Sequence, residues 1–100
     1  MALNITGTIE LSSGVVLNSA YARVNPTLTT SGNEIRTIVS YWLDENAYTN
    51  GNYPLDYSVN IKYTFDYDRT TDGSDLLLVS NEKIKSELED KGFSVVITQL

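Results

Sequence analysis

Strict alternation of apolar and polar residues restricts this chain more than any other feature. Between residues 57 and 67, Tyr57, Val59, Ile61, Tyr63, Phe65 and Tyr67 alternate with Ser58, Asn60, Lys62, Thr64 and Asp66. Successive side chains of a strand point to opposite faces, so a period of two specifies a half-buried strand and is incompatible with an amphipathic helix. The chain opens in the same way. Leu3, Ile5, Ile9 and Leu11 share one face, with Asn4, Thr6, Thr8 and Glu10 on the other. Ser12-Ser13-Gly14 supplies a turn, and a second strand runs from Val15 to about Val24. Pro26 lacks an amide hydrogen, which places the end of that strand at an edge or in a loop. Residues 27–33, rich in Thr, Ser and Gly, read as a hairpin connection.

The third strand, residues 35–43, is apolar on both faces, with Val39, Tyr41 and Leu43 on one and Ile38 and Trp42 on the other. Such a strand is central in a packed structure or buried at a subunit contact. Residues 44–54 read as a loop, with a strong turn signal at Asn50-Gly51. The fourth strand follows at residues 57–67, with Ile61 and Phe65 expected in the core and Asn60, Lys62 and Thr64 facing solvent or a neighbouring subunit. Then the period changes. After a polar loop at residues 68–75, residues 76–91 favour helix, because Ile84 and Leu88 lie four apart and Lys83–Glu87, Lys85–Glu89 and Glu87–Lys91 are spaced as ion pairs. Ser74 or Ser80 is expected to cap its start, and Gly92 sits where a left-handed C-terminal cap belongs. Phe93, Val95 and Ile97 alternate in a last strand. The expected class is α+β, mainly β: an antiparallel sheet or small β-sandwich of about five strands with one C-terminal helix, in a single domain spanning residues 1–100.

Composition then narrows function. Thirteen Asp and Glu against seven Lys and Arg give a net charge of −6. That balance argues against nucleic acid and against anionic membrane as partners. With no Cys and no His, disulfides, thiol chemistry, His- or Cys-ligated zinc and His-based triads are excluded within these residues. The absence of Cys fits a reducing cytosol. The N-terminal residues show no basic segment followed by an apolar run, so no signal peptide is expected. The longest apolar run, at residues 76–79, is far short of the roughly 20 residues of a membrane-spanning helix.

Three groups of residues invite chemistry. Residues 66–75 hold four aspartates and several hydroxyls, and hard cations take oxygen ligands. Starting a calcium loop at Asp68 puts Thr70, Asp72 and Gly73 at matching positions, yet the twelfth residue, which should be a bidentate Glu, is Val79. A solvated acidic connection without metal is expected. The carboxylate pairs Asp66/Asp68 and Asp44/Glu45 lack an apolar surround that would raise one pKa, so no catalytic residues, no cofactor and no enzymatic activity are expected. Seven tyrosines form the third group. Tyr57, Tyr63 and Tyr67 fit a core face, whereas Tyr48 and Tyr53 sit in an Asn/Gly-rich loop. Tyr and Trp combine an apolar ring with a polar tip and concentrate at binding hot spots. Trp42, Tyr48 and Tyr53 are therefore the expected partner contacts.

The run Ser13-Gly14-Val15-Val16-Leu17-Asn18-Ser19-Ala20-Tyr21-Ala22-Arg23-Val24, after a short opening strand, resembles small proteins encoded among the virion structural genes of tailed bacteriophages. Ile38-Val39-Ser40-Tyr41-Trp42, then Ala47, Gly51 and Pro54-Leu55, continue the likeness over about half of the chain. The resemblance implies a structural component of the tail, baseplate or connector region. It would assemble in the host cytoplasm as a homo-oligomer in contact with other virion proteins, and it brings no catalytic residues. Strand-edge pairing and Tyr/Trp-rich contacts would hold the copies together. A glycan-binding or adhesion module on a fibre or cell surface is the alternative.

Overall fold

The computed structural model describes residues 1–11, 13–55 and 62–98 of the chain. The elements run β1 (Ala2–Glu10), β2 (Val16–Leu28), β3 (Glu34–Trp42), α1 (Glu45–Thr49), β4 (Lys62–Asp66), α2 (Arg69–Asp72), α3 (Leu76–Asp90) and β5 (Ser94–Thr98). All five strands pair antiparallel in one sheet, in the order β4-β3-β2-β1-β5. The class is α+β, mainly β, with one long C-terminal helix against one face of the sheet.

Register decides which side chains share a face. Leu3 pairs with Ala22 and Ile97, Ile5 with Ala20 and Val95, and Tyr41 with Ala22. These residues turn toward α3 and close the core around its Ile84 and Leu88. A smaller cluster at the other end joins Ile35, Tyr67 and Val79. The Tyr67 hydroxyl donates to the Gly73 carbonyl, and its amide donates to the Asn33 carbonyl at 2.8 Å. Asn81 is fully buried on α3 and donates to the Leu77 carbonyl at 2.8 Å.

Both ends of α3 are satisfied locally. Its N-cap is Asp75, whose carboxylate accepts from the Leu78 amide at 3.2 Å, rather than Ser74 or Ser80. Ser80 is buried inside the helix and donates to the Leu76 carbonyl. At the other end the Gly92 amide donates to Glu89 and the Phe93 amide to Leu88, with Gly92 at φ +96°, the paired bonds of a Schellman cap. That cap aims the Phe93 ring at Gly7, in β1 where the register with β2 shifts by one residue as a bulge.

Several expectations need correction. β2 does not end near Val24 but continues through Pro26, which pairs with Thr37 of β3. The β1 register reaches only to Ala22 of β2. Pro26 therefore has a strand on one side alone, where a missing amide hydrogen is tolerated. Leu43 lies beyond the end of β3 and is exposed, so it does not join Val39 and Tyr41 in the core. Phe65 is half-buried, its ring stacked on Tyr63 with centroids 5.8 Å apart, while Lys62 and Thr64 face outward as expected. Ile61 and the rest of the fourth segment up to residue 61 lie outside the described residues; ahead of them the Leu55 amide donates to the Tyr41 carbonyl at 2.7 Å.

Both presumed loops contain short helices. The Asp44 carboxylate caps α1 by accepting from the Ala47 amide at 2.8 Å. Asp68 caps α2, accepting from the amide and hydroxyl of Thr70 at 2.9 and 2.6 Å. The Thr70 hydroxyl first, and then the Thr70 amide, hold the Asp68 pKa below the ordinary aspartate value of 3.8. A lowered folded-state pKa means that the cap is fully present above the unfolded value and is lost as pH falls through the folded one. Acidification below about pH 4 is therefore expected to fray α2 before the sheet melts. Amide chemical shifts of Thr70 and Thr71, followed by NMR down the pH scale, check this. Unchanged shifts in Asp68→Ala relative to the parent at pH 7 would count against the cap.

Candidate functional site

The face of the sheet turned away from α3 carries the residues of interest. Tyr21 of β2 stands directly opposite Trp42 of β3, and Arg23 follows Tyr21 on the same face, opposite Ser40. Farther along, Asn25 pairs with Ile38, Ile38 with Lys62, and Arg36 with Thr64. Ala20, Ala22 and Val24 fill the core side, so the alternation of β2 itself sends Tyr21 and Arg23 outward.

α1 folds over one end of this face. Its Tyr48 ring packs edge-on against Trp42 with centroids 4.8 Å apart, and tilted against Tyr21 at 5.6 Å. The Arg23 guanidinium lies 4.7 Å from the Tyr48 centroid and donates to the Tyr21 hydroxyl at 3.2 Å. A guanidinium over an aromatic face is attracted by the ring quadrupole. Trp42 Nε1 donates to the Asn52 carbonyl at 2.9 Å, which ties the chain after α1 back to β3. The outcome is a four-residue cluster of Tyr21, Arg23, Trp42 and Tyr48.

Of the three expected contact residues, Trp42 and Tyr48 come together and Tyr53 stands apart. Trp42 is half-buried, Tyr48 is 36% exposed, and Tyr53 is 96% exposed. Sequence reading passed over Tyr21 and Arg23, although their parity against Ala20, Ala22 and Val24 was available. It also passed over Arg36, whereas Lys62 was expected to face solvent or a neighbouring subunit. Neither of these makes an ion pair or a side-chain hydrogen bond with the described residues, and between them and Asn25 lies Ile38, 49% exposed.

Several polar groups outside this face hold the fold. Asp72 accepts from the Asp68 amide at 3.0 Å and meets Lys83 at 3.8 Å. Among the described residues no three carboxylates gather as a metal site. In the hydroxyl-rich cleft at the β2–β3 hairpin, lined by Thr29, Ser31, Glu34 and Arg36, two hydroxyls are used internally. Thr29 donates to the Glu34 carbonyl and Ser31 to the Asn33 side chain. No helix among the described residues is long and apolar enough to cross a membrane. No protein-family model, curated protein or solved structure matches this chain.

Proposed function

We propose that this chain is a structural subunit that assembles in multiple copies through the sheet face opposite α3, as a component of a tailed-bacteriophage virion. One observation carries the proposal. The long helix covers one face only, and the other, covered at one end by α1 over an aromatic–cation cluster in which Tyr21 is buried, leaves Ile38 49% exposed beside it. A 100-residue domain has little surplus core, so contacts between copies add stability that its own interior does not supply. Aromatic rings and Arg are the side chains that most often dominate such contacts. Trp42 and Tyr48 form the rim of the contact, and Tyr53 reaches a neighbour from beside it. The virion assignment comes from the sequence resemblance, and the absence of a catalytic constellation among the described residues is compatible with it.

Sedimentation velocity over a wide concentration range tests assembly. The parent chain is expected to associate as concentration rises. Trp42→Ala combined with Tyr48→Ala should keep its circular dichroism and lose that association, because both rings lie on the sheet face away from the main core. Tyr53→Ala should leave the fold unchanged and weaken association. A strictly monomeric parent that binds glycans on an array would overturn the proposal in favour of an adhesion module.

A further inference from the structure

The partner for the open sheet face is legible in the charge of the molecule's two sides. Arg23, Arg36 and Lys62 surround Ile38 there, three of the seven cations in a chain of net charge −6. Strand spacing of about 4.8 Å and a rise of about 3.4 Å per residue put Arg23 and Lys62 roughly 12 Å apart, with Arg36 nearer to Lys62. Between the β1 bulge and β4, the carboxylates on this face are Glu34 and Asp66, paired with each other at one corner. The opposite side of the molecule has the reverse character. Within α3 the exposed charged residues are acidic, Glu82, Glu89 and Asp90, and the exposed Lys91 follows at its C-cap. Lys83 and Lys85 are half-buried, and Lys83 is drawn to Asp72. Glu82 and Glu89 lie two turns apart, about 10.5 Å along the helix, which matches the spread of the cations.

We infer that the occupant of the open face is the acidic outer surface of α3 from a second copy, joining subunits head to tail. The inference rests on the assembly proposal and names its partner. A two-fold, face-to-face pairing would bring the cation groups of two copies together, whereas head-to-tail docking sets cations against carboxylates. A head-to-tail contact uses two different patches, so each subunit keeps one free for the next, and the array closes as a ring or grows as a filament. Ile38 supplies the apolar centre of the contact, and the charged pairs around it set partner choice and orientation.

The experiment is a charge swap followed by sedimentation at low and high salt. Arg36→Glu with Lys62→Glu should weaken self-association by roughly tenfold or more, and Glu82→Lys with Glu89→Lys should do the same. An equimolar mixture of the two variants should recover association, since each restores the complement that the other lacks. Circular dichroism of each variant alone verifies folding. Association of the parent that ignores both swaps overturns the head-to-tail contact and leaves the assembly proposal standing. A parent that stays monomeric overturns both. Binding of a soluble polyanion to the parent that is lost in Arg36→Glu/Lys62→Glu, without self-association, would assign the cations to another partner.

Discussion

Truncating Ile84 to Ala is expected to remove about 2–5 kcal/mol of stability, a large share of the roughly 5–15 kcal/mol that a domain of this size possesses. Ile84 is fully buried and is the point at which α3 meets the sheet, among Leu3, Ile5, Val39, Tyr41 and Val95. Deleting most of its side chain forfeits the transfer free energy and leaves a cavity that β1, β2 and β3 cannot collapse into without breaking their ladders. Urea unfolding followed by circular dichroism should show the midpoint lowered by about 1–3 M, from the typical slope for a small domain. Glu82→Ala, two residues earlier and on the exposed side of the same helix, is expected within about 0.5 kcal/mol of the parent. Similar losses in both variants would mean that α3 is docked through a different face.

The second large effect is expected at Gly7. A Cβ built there would lie 2.6 Å from Cδ1 of Phe93, and the backbone φ is +151°, a region that L side chains rarely adopt. Gly7→Val therefore meets two separate penalties. Backbone strain costs about 1–3 kcal/mol, and forcing the Phe93 ring aside costs about 1–3 kcal/mol. The pair can be separated by a double-mutant cycle. Phe93→Ala removes the ring that a Cβ would strike and leaves the backbone term in place. Gly7→Val should thus be less damaging in the Phe93→Ala background than in the parent, with an interaction of about 1 kcal/mol or more. Strict additivity in thermal or urea unfolding would show that Gly7 is required for its backbone conformation alone.

Gly7 and Phe93 show how elements distant in sequence settle a local choice. The Schellman cap of α3 was readable from Gly92, because a left-handed C-terminal cap is a short-range device and the residue that supplies it is adjacent. The target of the Phe93 ring was not readable. It depends on β5 returning beside β1, a pairing across some ninety residues that no local pattern encodes. The same division separates the two caps that sequence reading missed from the helix that it found. Ile84 and Leu88 repeat at helical spacing over a fifteen-residue element, whereas α1 and α2 have five and four residues, too short for a periodic signal. Their marks were Asp44 and Asp68, N-cap residues that look like loop polarity until the amides they bind are in place.

Composition and alternation alone pointed to about five strands, in one antiparallel sheet or a small sandwich, followed by one long C-terminal helix, and showed that chemistry based on Cys or His is absent from these residues. They also placed Ile38 and Trp42 on the face opposite Val39 and Tyr41, since parity within one strand needs no partner. Strand order, the passage of β2 through Pro26 and the docking of Tyr48 on Trp42 were decided only by the tertiary structure. Each depends on which neighbour lies alongside. Pro26 is tolerated because β1 has already ended, and Tyr48 meets Trp42 because α1 is folded back by the Asn52 carbonyl on the indole. Hydrophobic period is a property of one segment, and register and neighbour identity are properties of pairs of segments, so a single chain of letters states the first and leaves the second to packing.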